Sequence, residues 1–183
     1  MDDKKRTALL RHLITTQGWQ RVLVFVATRY ACAHLANKLC AAGVRASALH
    51  GDMSQGARQA ALQDFKDKRI DVLVTTDLAA RGIDIALLPV VVNHDLPRSA
   101  NDYTHRIGRT ARAGAQGQAV SFVSADAFAH WQLIQKRTQV PLPLEVVAGF
   151  EPTETPAPSA GVGGIKGKRP SKKDKLRAAL IQV

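Results

Sequence analysis

Val22-Leu23-Val24-Phe25-Val26-Ala27-Thr28-Arg29 is an unbroken apolar run of strand length that ends in a threonine and opens onto a helical pattern. A strand with one wet face alternates apolar and polar residues; a strand apolar throughout is covered on both faces. The same grammar returns at Val72-Leu73-Val74-Thr75 and at Val90-Val91-Val92-Asn93. Segments of helical period lie between these runs. Leu9, Leu10, Leu13 and Ile14 form a stripe that ends near Gly18, and Leu35, Leu39 and Cys40 share a face of a helix from about Arg29 to Ala42, stopped by Gly43. Ser54 can cap a helix that turns Ala57, Ala61, Leu62 and Phe65 inward. Val44–Leu49 and Gln118–Val123 read as further strands. Ser99 and Ser124 can cap two more helices, the second bearing Phe128, Trp131 and Ile134, and Leu144–Val147 reads as an added edge strand. Strands alternating with helices predict an α/β fold with a mostly parallel sheet covered by helices on both faces. Ligands of such sheets sit outside the C-terminal strand ends, where Thr28, Thr75, Thr76 and Asp77 fall.

Composition bounds the rest. The chain has 183 residues, 45% hydrophobic content and a net charge of +11. No uninterrupted apolar stretch reaches about 18 residues, so no transmembrane helix is expected, and Met1-Asp2-Asp3-Lys4-Lys5-Arg6 leads into no signal core. A cytoplasmic monomer without a membrane partner is the expectation. Cys32 and Cys40 are spaced about two helical turns apart, too far for a disulfide, and read as small core residues. No histidine or cysteine spacing suggests a metal site. Residues 1–150 read as one domain, 151–165 as a flexible Pro/Gly linker and 166–183 as a disordered basic tail. Residues 151–183 hold seven Lys/Arg (Lys166, Lys168, Arg169, Lys172, Lys173, Lys175 and Arg177) against three acids. Both parts of the chain are basic, which points to a polyanionic partner.

A second run sharpens that partner: Tyr103-Thr104-His105-Arg106-Ile107-Gly108-Arg109-Thr110-Ala111-Arg112-Ala113-Gly114. Arg106 and Arg109 are three residues apart and neighbours on a helix face. Arg112 follows on a glycine-containing loop. Forked guanidinium groups converging on one point suit a phosphate. Upstream lie Val72–Asp84, with Asp77, Arg81 and Gly82, and Leu49–Arg58, with His50, Gly51, Asp52 and Gln55.

In this order and spacing, the four runs resemble the C-terminal RecA-like domain of DEAD-box ATP-dependent RNA helicases of the bacterial type. The resemblance covers roughly residues 5–148. It implies a RecA-like three-layer fold, and a parent enzyme that unwinds or remodels RNA using ATP and Mg²⁺. By resemblance, Arg109 and Arg112 are fingers on the γ-phosphate, and Arg106 and His105 support them. Asp84 and Gly82 lie at the nucleotide, with Asp84 on the ribose. Thr28, Arg29, Gly51, Gln55, Arg58 and Thr76 face the RNA sugar–phosphate. Ala111 departs from the family, which has glycine there, and alanine disfavours the positive φ that glycine allows. Aromatic residues are only 5% of the chain, with no set suited to reading bases, so RNA binding should be largely independent of sequence.

The chain contains no Gly-x-x-x-x-Gly-Lys-Ser/Thr phosphate loop and no Asp-Glu-x-Asp strand. In the family both belong to the preceding RecA-like domain, and this chain is expected to begin where the second domain begins. That first domain is therefore the expected protein partner, holding ATP and Mg²⁺, while this chain alone binds no cofactor and hydrolyses no ATP. Two other readings stay open at this point: a stand-alone, non-enzymatic RNA-binding module, and the matching half of a related DNA helicase.

Overall fold

In the computed structural model of the chain, residues 2–83, 85, 87–110, 117–139 and 142–153 are described. The apolar runs are strands: β1 Val22–Phe25, β2 Ala46–Leu49, β3 Val72–Thr75, β4 Val90–Asn93 and β5 Gln118–Ser121. They form one sheet in the order β2-β3-β1-β4-β5, and every neighbouring pair is parallel. The helices are α1 Arg6–Thr16, α2 Arg29–Ala41, α3 Gln55–Lys66, α4 Asp77–Ala80, α5 Ala100–Ile107 and α6 Phe128–Thr138, with a 3-10 turn at Asp3–Lys5.

Alternation within each central strand feeds two cores. Val22, Val24, Val72, Val74, Val90 and Val92 pack with Leu9, Leu10 and Ile14 of α1 and with Cys32, Leu35, Ala36 and Leu39 of α2. Leu23, Phe25, Leu73 and Val91 pack on the opposite face with Ala61 and Phe65 of α3 and with Ala79 and Ala80 of α4. Both faces of the sheet are thus covered, which is the RecA-like arrangement. A smaller cluster joins α5 to α6, where Tyr103 meets Trp131 edge-on with ring centroids 5.7 Å apart.

Some sequence expectations are corrected here. Cys32 is fully buried but Cys40 is exposed. Eight residues of helix carry a side chain about 80° past two full turns, off the core-facing stripe. Burial pushes the Cys32 thiol up to about 11 against the opposing pull of a backbone hydrogen bond from Leu49. Ala57 is likewise exposed, and α3 turns only Ala61 and Phe65 fully inward. Ser124 does not cap α6, which starts at Phe128 after an uncapped Ala127. Its hydroxyl is taken by the Asp126 carboxylate and by Arg6 Nη2, 2.9 Å away. Leu144–Val147 is not a strand, and β5 remains the edge among the described residues. Pro143 has no N–H for a ladder, and Leu144 and Val146 are exposed rather than turned to the core.

The two ends of the described chain meet. Asp2 accepts hydrogen bonds from the backbone and hydroxyl of Thr153 at 2.8 and 2.9 Å, and the Phe150 ring lies 5.3 Å from that of His12. Residues 151–153, the start of the expected linker, are therefore tied to the fold by Thr153. The rest of the linker and the whole basic tail lie outside the described residues.

Candidate functional site

The helix starts place hydroxyls at the C-terminal strand ends. Thr28, just beyond β1, caps α2 by accepting from the Ala31 amide at 3.1 Å. Thr76, just beyond β3, caps α4 by accepting from the Ala79 amide at 3.4 Å. A hydroxyl can accept in a cap and still donate its own hydrogen. After β2 come the exposed Gly51 and Asp52, and Asp52 pairs with the exposed Arg29. Ser54 caps α3, whose first residue, Gln55, is exposed. Arg58 reaches from α3 to the Ala79 carbonyl of α4 at 3.5 Å. Thr28, Arg29, Gly51, Gln55, Arg58 and Thr76 thus all lie at or just after the C-terminal ends of β1, β2 and β3.

The arginine helix is built to be rigid. Ser99 caps α5, and Asp102 returns the contact by accepting from the Ser99 hydroxyl at 2.7 Å. Arg106 is only 2% exposed. Its Nε and Nη2 donate to the two carboxylate oxygens of Asp77 at 2.6 and 2.8 Å. Its Nη1 donates to Asn93 Oδ1 at 3.0 Å and to the Asp95 carbonyl at 2.7 Å. The guanidinium carbon lies 4.8 Å from the centre of the Phe25 ring, a cation–π contact that covers its apolar face. Arg106 therefore does not converge with Arg109 on an outside phosphate. Its charge is spent inside the domain, because Asp77 at the end of β3 and Asn93 at the end of β4 lie beneath α5.

Arg109 follows the end of α5 and is half-buried. Its Nη1 donates to the Ile83 carbonyl at 3.2 Å. Its backbone is clamped on both sides: the Leu88 amide donates to the Arg109 carbonyl at 3.0 Å, and the Thr110 hydroxyl donates to the Leu88 carbonyl at 2.6 Å. Arg81 adds a looser tie to Asp102 at 3.6 Å. The Asp77–Ile83 stretch and the arginine helix are thus one braced unit. Gly82 within it has φ +73°, a backbone state that favours glycine, while nothing crowds the position of a Cβ. Its glycine is required by φ rather than by close approach within the domain. His105 is exposed. Arg112 and Asp84 lie outside the described residues.

A profile of the helicase conserved C-terminal domain matches residues 4–114. The chain belongs to that family. Its relatives place it in the DEAD-box branch. The crystal structure of the Escherichia coli DEAD-box protein SrmB bound to regulator of ribonuclease activity A is 41% identical, with a TM-score of 0.74 over 86% of this chain and 93% of that one. The ATP-dependent RNA helicase SrmB of Haemophilus influenzae is 41% identical over 175 residues, which are 96% of this chain and 39% of that protein. A DEAD-box protein from Methanococcus jannaschii is 35% identical, with a TM-score of 0.72 over 77% of this chain and 39% of that one. The chain spans 39% and 35% of the length of its two SrmB relatives.

In this helicase C-terminal domain, sequence reasoning misses the partners of the arginine helix. Asp77 is legible as a polar strand-end residue, but nothing over 29 positions of separation marks it as the counter-ion of Arg106. Asp95 is missed altogether. Burial raises its carboxyl, yet the His94 contact, the Ala27 amide and the Arg6 charge outweigh that and hold it below the ordinary carboxylate range. Among the described residues, no group of His, Cys, Asp or Glu is placed to hold a metal ion. No helix among them is long and apolar enough to cross a membrane.

Proposed function

We propose that this chain is the C-terminal half of an ATP-dependent RNA helicase. It contributes Arg109, with Arg112, to an ATP site completed by a preceding RecA-like domain that holds the nucleotide and Mg²⁺. The observation that carries the reading is the state of Arg109. Its backbone is clamped to Leu88 while, among the described residues, one hydrogen bond to the Ile83 carbonyl holds its guanidinium, so an arriving phosphate oxygen can replace that bond without moving the chain. The charge that develops on a transferring phosphoryl group is stabilised by such a preplaced guanidinium. Arg106 and Asp77 brace the helix that delivers it. His105, exposed on the same helix, faces outward to meet the first domain, and Asp84 and Gly82 border the ribose.

Thr28, Arg29, Gly51, Gln55, Arg58 and Thr76 form the path of one RNA strand across the strand ends. Hydroxyls, an exposed backbone amide and guanidinium groups match sugar–phosphate rather than base edges. The full-length protein should separate a short RNA duplex only when ATP is present, and should leave the corresponding DNA duplex paired. RNA binding without any ATP-dependent strand separation would favour a stand-alone binding module. Separation of DNA would favour the DNA helicase reading.

The basic tail adds an electrostatic tether. The chain leaves the described fold at Thr153, on Asp2, beside the start of α1, whose Arg6 reaches Asp95 just past β4 at 2.7 Å. Thr153, the last described residue, thus lies toward the same end of the sheet as the strand-end hydroxyls. Deleting residues 154–183 should weaken single-stranded RNA binding and flatten its salt dependence, each lost phosphate contact removing a log–log slope of roughly 0.7. Titrating labelled RNA at several salt concentrations with both chains measures this. Equal affinity and equal slope would leave the tail with no part in binding.

A further inference from the structure

Tyr30 is 80% exposed, more than any other large apolar side chain among the described residues. It stands in the first turn of α2, directly after Thr28 and Arg29. The core-facing side of α2 is made by Cys32, Leu35, Ala36 and Leu39. At about 100° per residue, Tyr30 and His34 fall on the opposite side of the helix. Their rings are stacked, with centroids 5.7 Å apart and planes within 11°. A tyrosine there buries nothing for the fold, and tyrosine is not a strong helix former. What the pair offers is a flat π face, backed by a second ring and held in place on a regular helix.

We infer that Tyr30, backed by His34, is a stacking platform for one nucleobase of the single strand whose sugar–phosphate passes Thr28 and Arg29. The inference rests on the RNA path proposed above. Arg29 and the Thr28 hydroxyl supply the phosphate partners that a nucleotide needs beside its base, and the +11 net charge favours a polyanion. A strand held by its backbone leaves its bases free to meet an exposed ring. Stacking on an aromatic side chain accepts every base, because each has a π face. The platform therefore strengthens binding without making it sequence-specific. The low aromatic content hides it in the sequence, where one tyrosine is no stacking set.

The test uses the full chain and two fluorescently labelled oligonucleotides: oligouridylate, and the same backbone with its bases removed. Tyr30→Ala should weaken binding of the base-bearing strand about tenfold and leave the abasic strand unchanged, and Tyr30→Phe should keep wild-type affinity for both. Tyr30→Trp supplies a second readout. Trp19 and Trp131 are buried, so quenching of the exposed indole should accompany the base-bearing strand and not the abasic one. Equal losses for the two strands, or no loss for either, would overturn the platform. Arg29→Ala distinguishes the underlying reading: it should weaken both strands, and no effect on either would reject the RNA path itself.

Discussion

Replacing Asp77 by alanine should destabilise the domain by about 3 kcal/mol, the lower end of what is measured when one partner of a buried ion pair is removed. Arg106 would keep its charge at 2% exposure, with the Asn93 side chain and the Asp95 carbonyl as its remaining partners. The Nε and Nη2 donors, now bound to Asp77, would face no acceptor. The lower end applies because the Asp77 side chain is itself 35% exposed, so water can partly replace the carboxylate. Urea unfolding measures the effect, with the midpoint falling and the slope unchanged. The pair carries a second signature. Asp77→Ala combined with Arg106→Met should lose much less than the sum of the two single changes, since the double variant buries no orphan charge. A loss below about 0.5 kcal/mol for Asp77→Ala would show that the brace does not hold the domain together.

Arg109→Ala, placed in the two-domain parent, should slow ATP hydrolysis by roughly 10³-fold or more. Among the described residues the side chain has a small part in the fold, its guanidinium making one hydrogen bond there, to the Ile83 carbonyl. Stability should therefore barely move, which separates this variant from Asp77→Ala. Arg109→Lys should recover little, because an ammonium cannot present the planar fork of a guanidinium. RNA affinity without nucleotide should stay near wild type. Single-turnover hydrolysis at saturating RNA reads the effect free of binding. A rate within about threefold of wild type would mean that Arg109 does not touch the phosphate.

The sheet is legible in the sequence because a doubly covered parallel strand has no wet face to interrupt its apolar run, as Val22–Phe25 and Val90–Val92 show. Two of the caps are legible for the same local reason: Ser54 and Ser99 each bond an amide three residues on, whereas Thr28 and Thr76 read only as polar strand ends and prove to be caps as well. What depends on tertiary context is not legible. Ser124 looks like a cap, but its hydroxyl accepts from Arg6 and donates to Asp126 instead. Cys40 looks like a core residue until the helical drift from Cys32 is counted. Leu144–Val147 has strand composition, yet Pro143 and its solvent-facing Leu144 and Val146 leave it off the sheet. Arg106 is the instructive case. Three-residue spacing puts it on the face of Arg109, but α5 ends at Ile107, and Asp77 and Asn93, distant in sequence, draw it inward.

The most direct measurement is RNA-stimulated ATP turnover by three proteins: the isolated chain, the two-domain parent, and the parent carrying Arg109→Ala. The expected result is turnover by the parent alone, with the isolated chain inactive and the variant reduced by roughly 10³-fold at unchanged nucleotide-free RNA affinity. Sustained turnover by the isolated chain that survives Arg109→Ala would contradict a composite site completed by this domain.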